Sequence, residues 1–558
     1  MRKAAVLVFL LLIAATEVRG AGETLKGSGA ETNKFATARG ANGSATNASP
    51  SGFLGKLLVV PMDGSHWVGV KAIAQEMGRR GHKVTVVMPE ISVRMGPGKH
   101  YDTIAYPVPY DKAHMDFVMS SHKDALKKSA QPFIEKVKTR FSQMKKIVNF
   151  IHITAESLLF NASLVSHLAQ QGFDAVLTDP MVPTGSLLAR KLGLPTINLL
   201  RGTPCSIDMK ASGCPSPPSF VPRFFTGYSD RMNFKERVIN TLVSSSSDTQ
   251  VAVLEPLLCR LIYWHFDHIA HEFLGEEVSV AEVLTDSDIW LLRIDFTLEP
   301  PRPLMPNMVL VGGINCNVRN PLPDELQDWI SGQHGFIVFT LGSMVSDLPE
   351  EITSVFIEAF RQIPQKVIWR YTGQVPEDIP DNVKMMKWVP QNDLLAHHGV
   401  RAFITHAGSH GVFEGLCHAV PMVMVPLSGD QPDNAQRMAN RGAGVILDIT
   451  SLTAESLLQG LNEVINNTRY KEVVQKLSAV HNDRPFDPVD LSVYWTEFVM
   501  KHKGAKHLKA AFRDLNWFQY FSLDVIALLA VLVLSHVFLT VKCVKLCLQK
   551  LSKKRKRD

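Results

Sequence analysis

Cysteine is scarce in this chain, and so is net charge once one short segment is set aside. Seven cysteines are spread over 558 residues, and the five that precede residue 500 show no metal-ligand spacing among them. The formal charge of +6 sits at one end: residues 542–558 hold eight Lys or Arg and one Asp, a charge of +7, so the other 541 residues sum to −1. A body this close to neutral gives no support to a nucleic-acid surface, and none is expected. Long apolar runs are rare as well. The run from Ala4 to Ala15 is short for a membrane span, and residues 21–51 are mostly Gly, Ala, Ser, Thr and Asn, which predicts a disordered spacer over 21–52. What is present is ample. At 558 residues the chain is too long for one ordinary core, and a composition 46% hydrophobic and 20% charged is that of a globular protein with some membrane contact, which predicts two domains with attachments.

The ends of the chain carry the attachments. Arg2 and Lys3, the apolar run and the small residues Gly20 and Ala21 have the three-part form of a secretory signal peptide over 1–20. Residues 525–541 are apolar apart from Ser535, His536 and Thr540, with Trp517, Phe518, Tyr520 and Phe521 before them and the basic tail after. That order predicts one transmembrane helix of about 26 Å with an aromatic belt and a positive cytosolic flank. Residues 504–524 form the juxtamembrane segment and 542–558 the tail. The body is then lumenal in a single-pass type I arrangement, and Lys554 and Lys556, fifth and third from the end, resemble a reticulum retrieval signal. Asn42, Asn47, Asn161 and Asn466 begin Asn-x-Ser/Thr sequences on the lumenal side. Cys205, Cys214, Cys259, Cys316 and Cys417 are lumenal too, and their odd number leaves at least one unpaired.

Between the ends, strand and helix patterns alternate twice. Residues 56–61 read as a strand, 68–80 as a helix and 83–88 as a strand, with His66 in the turn between the first two. Residues 174–178 read as a buried strand with Asp179 just past its end. Residues 289–292 form another strand, ended by Arg293. A Pro-rich connector at 299–307 follows, and strands resume at 336–339, 367–371, 401–405, 422–425 and 445–448. This predicts an α/β protein with two Rossmann-like domains, 53–300 and 301–503, facing a cleft. The Asp286-Ser-Asp288 pattern has the spacing of a metal-binding pair but is read as a solvated turn, so no metal is expected.

The stretch 388–431, WVPQNDLLAHHGVRAFITHAGSHGVFEGLCHAVPMVMVPLSGDQ, resembles the UDP-sugar signature of the UDP-glycosyltransferases over all 44 positions. PRPLMPNMVLVGGINC from Pro301 and FQYFSLDV from Phe518 resemble the vertebrate, membrane-anchored glucuronosyltransferase branch. The resemblance implies GT-B architecture, with an acceptor-binding first half and a UDP-sugar-binding second half. It implies that Trp388 stacks on uracil and Gln391 bonds the nucleoside. Thr405, His406, Gly408, His410 and Gly411 make the diphosphate turn at a helix start. Glu414 is implied to accept from ribose, Asp430 and Gln431 to bind the sugar, and Ser343 to lie in a donor loop. Ala407 and His410 stand where other branches carry Gly and Asn, which makes the contact through His410 less secure than that through His406.

In the first half, MDGSHW around His66 and FDAVLTDP around Asp179 resemble the family's catalytic histidine and its acidic partner. An imidazole titrates near pH 6.5 in water, so it can take a proton from a hydroxyl near neutrality, and a carboxylate behind it fixes the tautomer. The implied reaction is inverting transfer of glucuronate from the co-substrate UDP-glucuronate to a lipophilic small molecule, with no cofactor, at the endoplasmic reticulum membrane. Arg293 is the candidate partner of the donor's C6 carboxylate, and His410 a second one. Segments 95–129 and 220–237 are expected to shape the acceptor pocket. Transfer of a neutral sugar such as glucose, or a non-catalytic carrier of hydrophobic molecules, stand as alternatives. Acceptor identity and self-association are left open.

Overall fold

The computed structural model describes residues 52–554 apart from 121–132, 203–206, 224–225, 249–254, 317–319, 343–344 and 346. The signal peptide, most of the spacer, Asn42, Asn47, Cys205, Ser343 and the last four residues lie outside the described residues. The chain divides into a body up to residue 506 and a C-terminal unit from 507.

The body contains two parallel sheets. In the first, β1 (Lys56–Val60), β2 (Lys83–Pro89), β3 (Asp102–Tyr106), β4 (Ala175–Thr178), β5 (Thr196–Leu200), β6 (Ile289–Leu292) and β7 (Met308–Leu310) lie in the order β3-β2-β1-β4-β5-β6-β7. In the second, β8 (Phe336–Thr340), β9 (Lys366–Arg370), β10 (Val383–Met386), β11 (Val400–Thr405), β12 (Met422–Met424) and β13 (Gly444–Ile446) lie in the order β10-β9-β8-β11-β12-β13. Helices cover strands on both faces in such sheets, so the strands read as unbroken apolar runs. The sequences LLVV in β1 and FIVFT in β8 are buried throughout. Each order reverses once, between β1 and β4 and between β8 and β11. A crevice opens there past the C-terminal ends of the strands, where ligands of doubly wound sheets bind.

Four strands were not expected from the sequence: β3, β5, β7 and β10, of which β5 is buried throughout. β3 and β10 are short and only partly buried, so their apolar pattern is broken. β7 follows the Pro-rich connector yet pairs with β6, so the first sheet runs past the boundary expected at residue 300. The chain also returns to it: helix Pro488–His502 packs against the helix His66–Arg79 and against β4, β5 and β6. Asp288 departs from the solvated-turn reading. It is buried, and its carboxylate accepts from the backbone N–H of Thr196 at 3.2 Å and of Ala505 at 2.9 Å. Its role is to tie the start of β5 to the end of the returning helix.

Cys316 and Cys417 form a disulfide, and Cys214 is buried and unpaired. Asn161 caps the helix Ala162–Gln170, its side chain accepting from Leu164 N–H at 3.1 Å. In the C-terminal unit, helix Leu523–Lys554 is long and apolar enough to cross a membrane. At 1.5 Å per residue its 32 residues span about 48 Å. It therefore continues well past the expected 525–541 and carries the start of the basic tail in helical form.

Candidate active site

His66 opens helix α1 (His66–Arg79), immediately after the turn that leaves β1. Asp179 follows β4, the strand paired with β1. Residues 113 apart in sequence therefore meet, and His66 Nδ1–H donates to Asp179 Oδ2 at 2.7 Å. The carboxylate is 1% exposed and the imidazole 27%, so the acid is enclosed while the imidazole stays partly accessible. Burial pushes the Asp179 carboxyl up, but His66, Arg293 and the Met181 N–H together hold it below its ordinary value. Asp179 is thus an ionised acceptor. With Nδ1 committed as the donor, Nε2 carries the lone pair that can accept a proton.

Arg293, just past β6, crosses to the second sheet. Its Nη1 donates to His410 Nε2 at 2.7 Å, at the start of helix α2 (Ser409–Cys417), while its Nε–H is buried without a protein partner. Burial lowers the Arg293 pKa, and Asp179 partly restores it. His410 is lowered well below the ordinary histidine value by burial and by Arg293. It serves as a neutral acceptor for the arginine, not as a second cation.

In the second crevice, Thr405 is fully buried, and its hydroxyl accepts from Ala407 N–H at 3.3 Å. Ala407 has φ +62°, a left-handed conformation that costs an alanine roughly 1–2 kcal/mol; glycine adopts it freely. The imidazole of His406 is clasped by two glycines. A Cβ on Gly342 would lie 2.5 Å from that ring, and one on Gly408 would lie 2.4 Å from it. Burial takes His406 down to about 4, so it offers a hydrogen bond without a charge. Gly408 and Gly411 complete the approach to the first turn of α2, whose N–H groups favour anions.

Glu414, one turn in, is buried and pushed up to about 7 by that burial, against hydrogen bonds from Gln391 and Asn315. Gln391 Nε2 donates to it at 2.5 Å, and the Gln391 amide oxygen accepts from Thr340. Trp388 is 57% exposed. Asp430 precedes helix α3 (Gln431–Asn440) and accepts from Asn434 Nδ2 at 2.9 Å. The amide oxygen of Gln431 caps the preceding turn, accepting from Leu427 N–H at 2.8 Å and Ser428 N–H at 3.0 Å.

Several neighbours were not singled out from the sequence. Arg201 follows β5, with Nη2 2.6 Å from Glu299 Oε1 and Nε 3.2 Å from Asp430 Oδ2. Asn315 reaches Glu414 from the segment after β7, and Arg94 and Arg370 lie over Trp388. The strand-end rule that picked out His66, Asp179 and Arg293 applies equally to Arg201. Arg94 sits in a loop without a motif, and nothing in its sequence marks it.

The sequence profile described as UDP-glucoronosyl and UDP-glucosyl transferase matches residues 55–558. The chain belongs to that family. It is 45% identical over 490 residues to UDP-glucuronosyltransferase 1A1 of Rattus norvegicus, covering 88% of this chain and 90% of the relative. To UDP-glucuronosyltransferase 1A6 of Homo sapiens the identity is also 45% over 490 residues, with the same coverage. Among solved structures, spinosyn forosaminyltransferase SpnP superposes with a TM-score of 0.54 at 17% identity, over 80% of this chain and 99% of that one. The glycosyltransferase VinC in complex with DTDP gives 0.52 at 18%, over 80% and 100%. These structures establish the GT-B fold. Family and relatives make this chain a glycosyltransferase, and its long apolar C-terminal helix fits a membrane anchor.

Proposed function

We propose that this glycosyltransferase transfers glucuronic acid from UDP-glucuronate to a hydroxyl of lipophilic small molecules, with inversion to the β-glucuronide. The observation that carries the reading is the His66–Asp179 pair at 2.7 Å, held by two neighbouring strands and linked through Arg293 to the start of α2. The acceptor hydroxyl gives its proton to His66 Nε2 as its oxygen forms the bond to the anomeric carbon. The bond from that carbon to the diphosphate oxygen breaks, and UDP departs with the electron pair. Asp179 holds the tautomer and stabilises the imidazolium while the proton is there.

The second half takes the nucleotide. Trp388 stacks on uracil, Gln391 and Glu414 serve the nucleoside, and Ser343 with the 405–411 turn takes the diphosphate. Asp430 and Gln431 bind the sugar hydroxyls. Arg293 meets the C6 carboxylate, a role supported by its free buried Nε–H and by the strength of charge-assisted hydrogen bonds. The anchor lies in the endoplasmic reticulum membrane with the body lumenal. The 45% identity to relatives named as glucuronosyltransferases supports the choice of sugar. Microsomes holding the full chain, given a panel of UDP-sugars with mixed phenols and steroids, should yield glucuronide masses. Hexoside products in their place would defeat the proposal.

A further inference from the structure

Two guanidinium groups converge on Trp388 from opposite halves of the body. Arg370, at the end of β9, has its Cζ 5.7 Å from the indole centroid, and Arg94, in the loop after β2, has its Cζ 4.9 Å away. Like charges gathered at one aromatic ring repel. Burial lowers the pKa of both, and Arg94 lowers that of Arg370 further. Among the described residues neither has a carboxylate within ion-pair distance. Arg370 instead donates to the carbonyl of Gly342, which leads into the loop holding Ser343. Glu414 is the nearby acid on the second half, and burial holds its carboxyl near 7. The two histidines of the α2 turn are neutral at physiological pH, and Arg293 is engaged with His410. Positive charge available to an anion at this crevice therefore comes from Arg94 and Arg370, and the carboxylates that act on Arg94, Asp63 and Glu414, do so without an ion pair to its guanidinium among the described residues.

We infer that Arg94, a residue of the first half, binds the diphosphate of the donor, and that in the free protein its guanidinium rests on the indole face that uracil takes. The inference relies on the donor site proposed above. Stacking of uracil displaces the cation from Trp388, and a diphosphate with two or more negative charges is the partner that accepts it. The loop that carries Arg94 is already tied to the reaction centre. Asp63, three residues before His66, accepts from Val93 N–H at 2.6 Å and from Arg94 N–H at 3.0 Å. A diphosphate held by Arg94 is thereby placed at a fixed reach from the base, so the first half helps select the nucleotide as well as the acceptor.

The test compares UDP with uridine, by calorimetric titration of the detergent-solubilised full chain. Arg94→Met keeps an apolar stem and removes the charge. UDP affinity should fall about 10- to 100-fold, the range for a charge-assisted hydrogen bond, while uridine affinity stays level or rises because its competitor for the indole is gone. Arg94→Lys should retain part of the UDP affinity, since the charge survives and the planar stacking does not. Trp388→Leu should weaken both ligands. If Arg94→Met leaves UDP unchanged, or weakens UDP and uridine equally, while Trp388→Leu weakens both, the role of Arg94 is refuted and the donor site stands. If Trp388→Leu changes neither ligand, the donor-site reading itself fails.

Discussion

Each sheet places histidines past a strand that flanks its reversal, His66 after β1 in the first and His406 and His410 after β11 in the second, yet the two crevices treat them differently. His66 is partly open, with an ionised carboxylate 2.7 Å behind it. His406 and His410 are buried, neither is hydrogen-bonded to a carboxylate among the described residues, and burial drives both toward the neutral form, against a weaker opposing pull from Asp430 on His406. One topology thus supports two electrostatic designs. In the proposed mechanism, the imidazole that takes the proton has an acid to stabilise its cation, and the turn proposed to hold the anion offers N–H donors while arginines bring the charge from outside.

The strongest way to break that contrast is to remove the proposed base. His66→Ala should lose transfer by a factor on the order of 10² to 10⁴ and keep UDP affinity, as measured by turnover and titration on the same preparation. Asp179→Asn should follow the same pattern, since it leaves the imidazole without an anion to fix its tautomer. Loss of UDP binding in step with transfer would show that the two crevices are not separate in role.

A smaller effect tests the second crevice. Glu414 sits at about 7 in the folded chain against an ordinary 4.5. Between those values the unfolded chain has released this proton and the folded chain retains it. Stability therefore falls as pH rises from 4.5 to 7 and levels off above, by roughly 3 kcal/mol at most. Glu414→Gln has no proton to lose, so its thermal midpoint relative to the parent should be higher at pH 8 than at pH 5. An equal difference at both pH values would mean that the glutamate titrates normally.

Much of this arrangement was legible before the fold was known, for a physical reason. Buried parallel strands show as apolar runs, and the residue after such a run lies at a crevice, which is how His66, Asp179 and Arg293 could be read. The signature at 388–431 was legible because its residues are consecutive. What escaped was pairing across the chain. Arg201 with Asp430, Asn315 with Glu414 and Arg94 with Trp388 join positions far apart, and spacing along a sequence carries no record of such contacts. The extent of the first sheet escaped likewise. β7 has three residues, and helix Pro488–His502 returns from the far end of the second half. Burial also changed what His410 does. Sequence offered it as a second candidate partner of the donor carboxylate, and enclosure beside Arg293 makes it an acceptor.

In the proposed site one guanidinium, Arg293, distinguishes glucuronate from glucose, so the most direct measurement is competition between UDP-glucuronate and UDP-glucose in the parent and in Arg293→Ala. The parent should prefer UDP-glucuronate. The variant should lose about 1.5 to 3 kcal/mol of that donor's binding, the range for a charge-assisted hydrogen bond, with little change for UDP-glucose. Equal losses for both donors would assign Arg293 to holding His410 and the diphosphate turn, and faster transfer from UDP-glucose by the parent would contradict the glucuronate assignment outright.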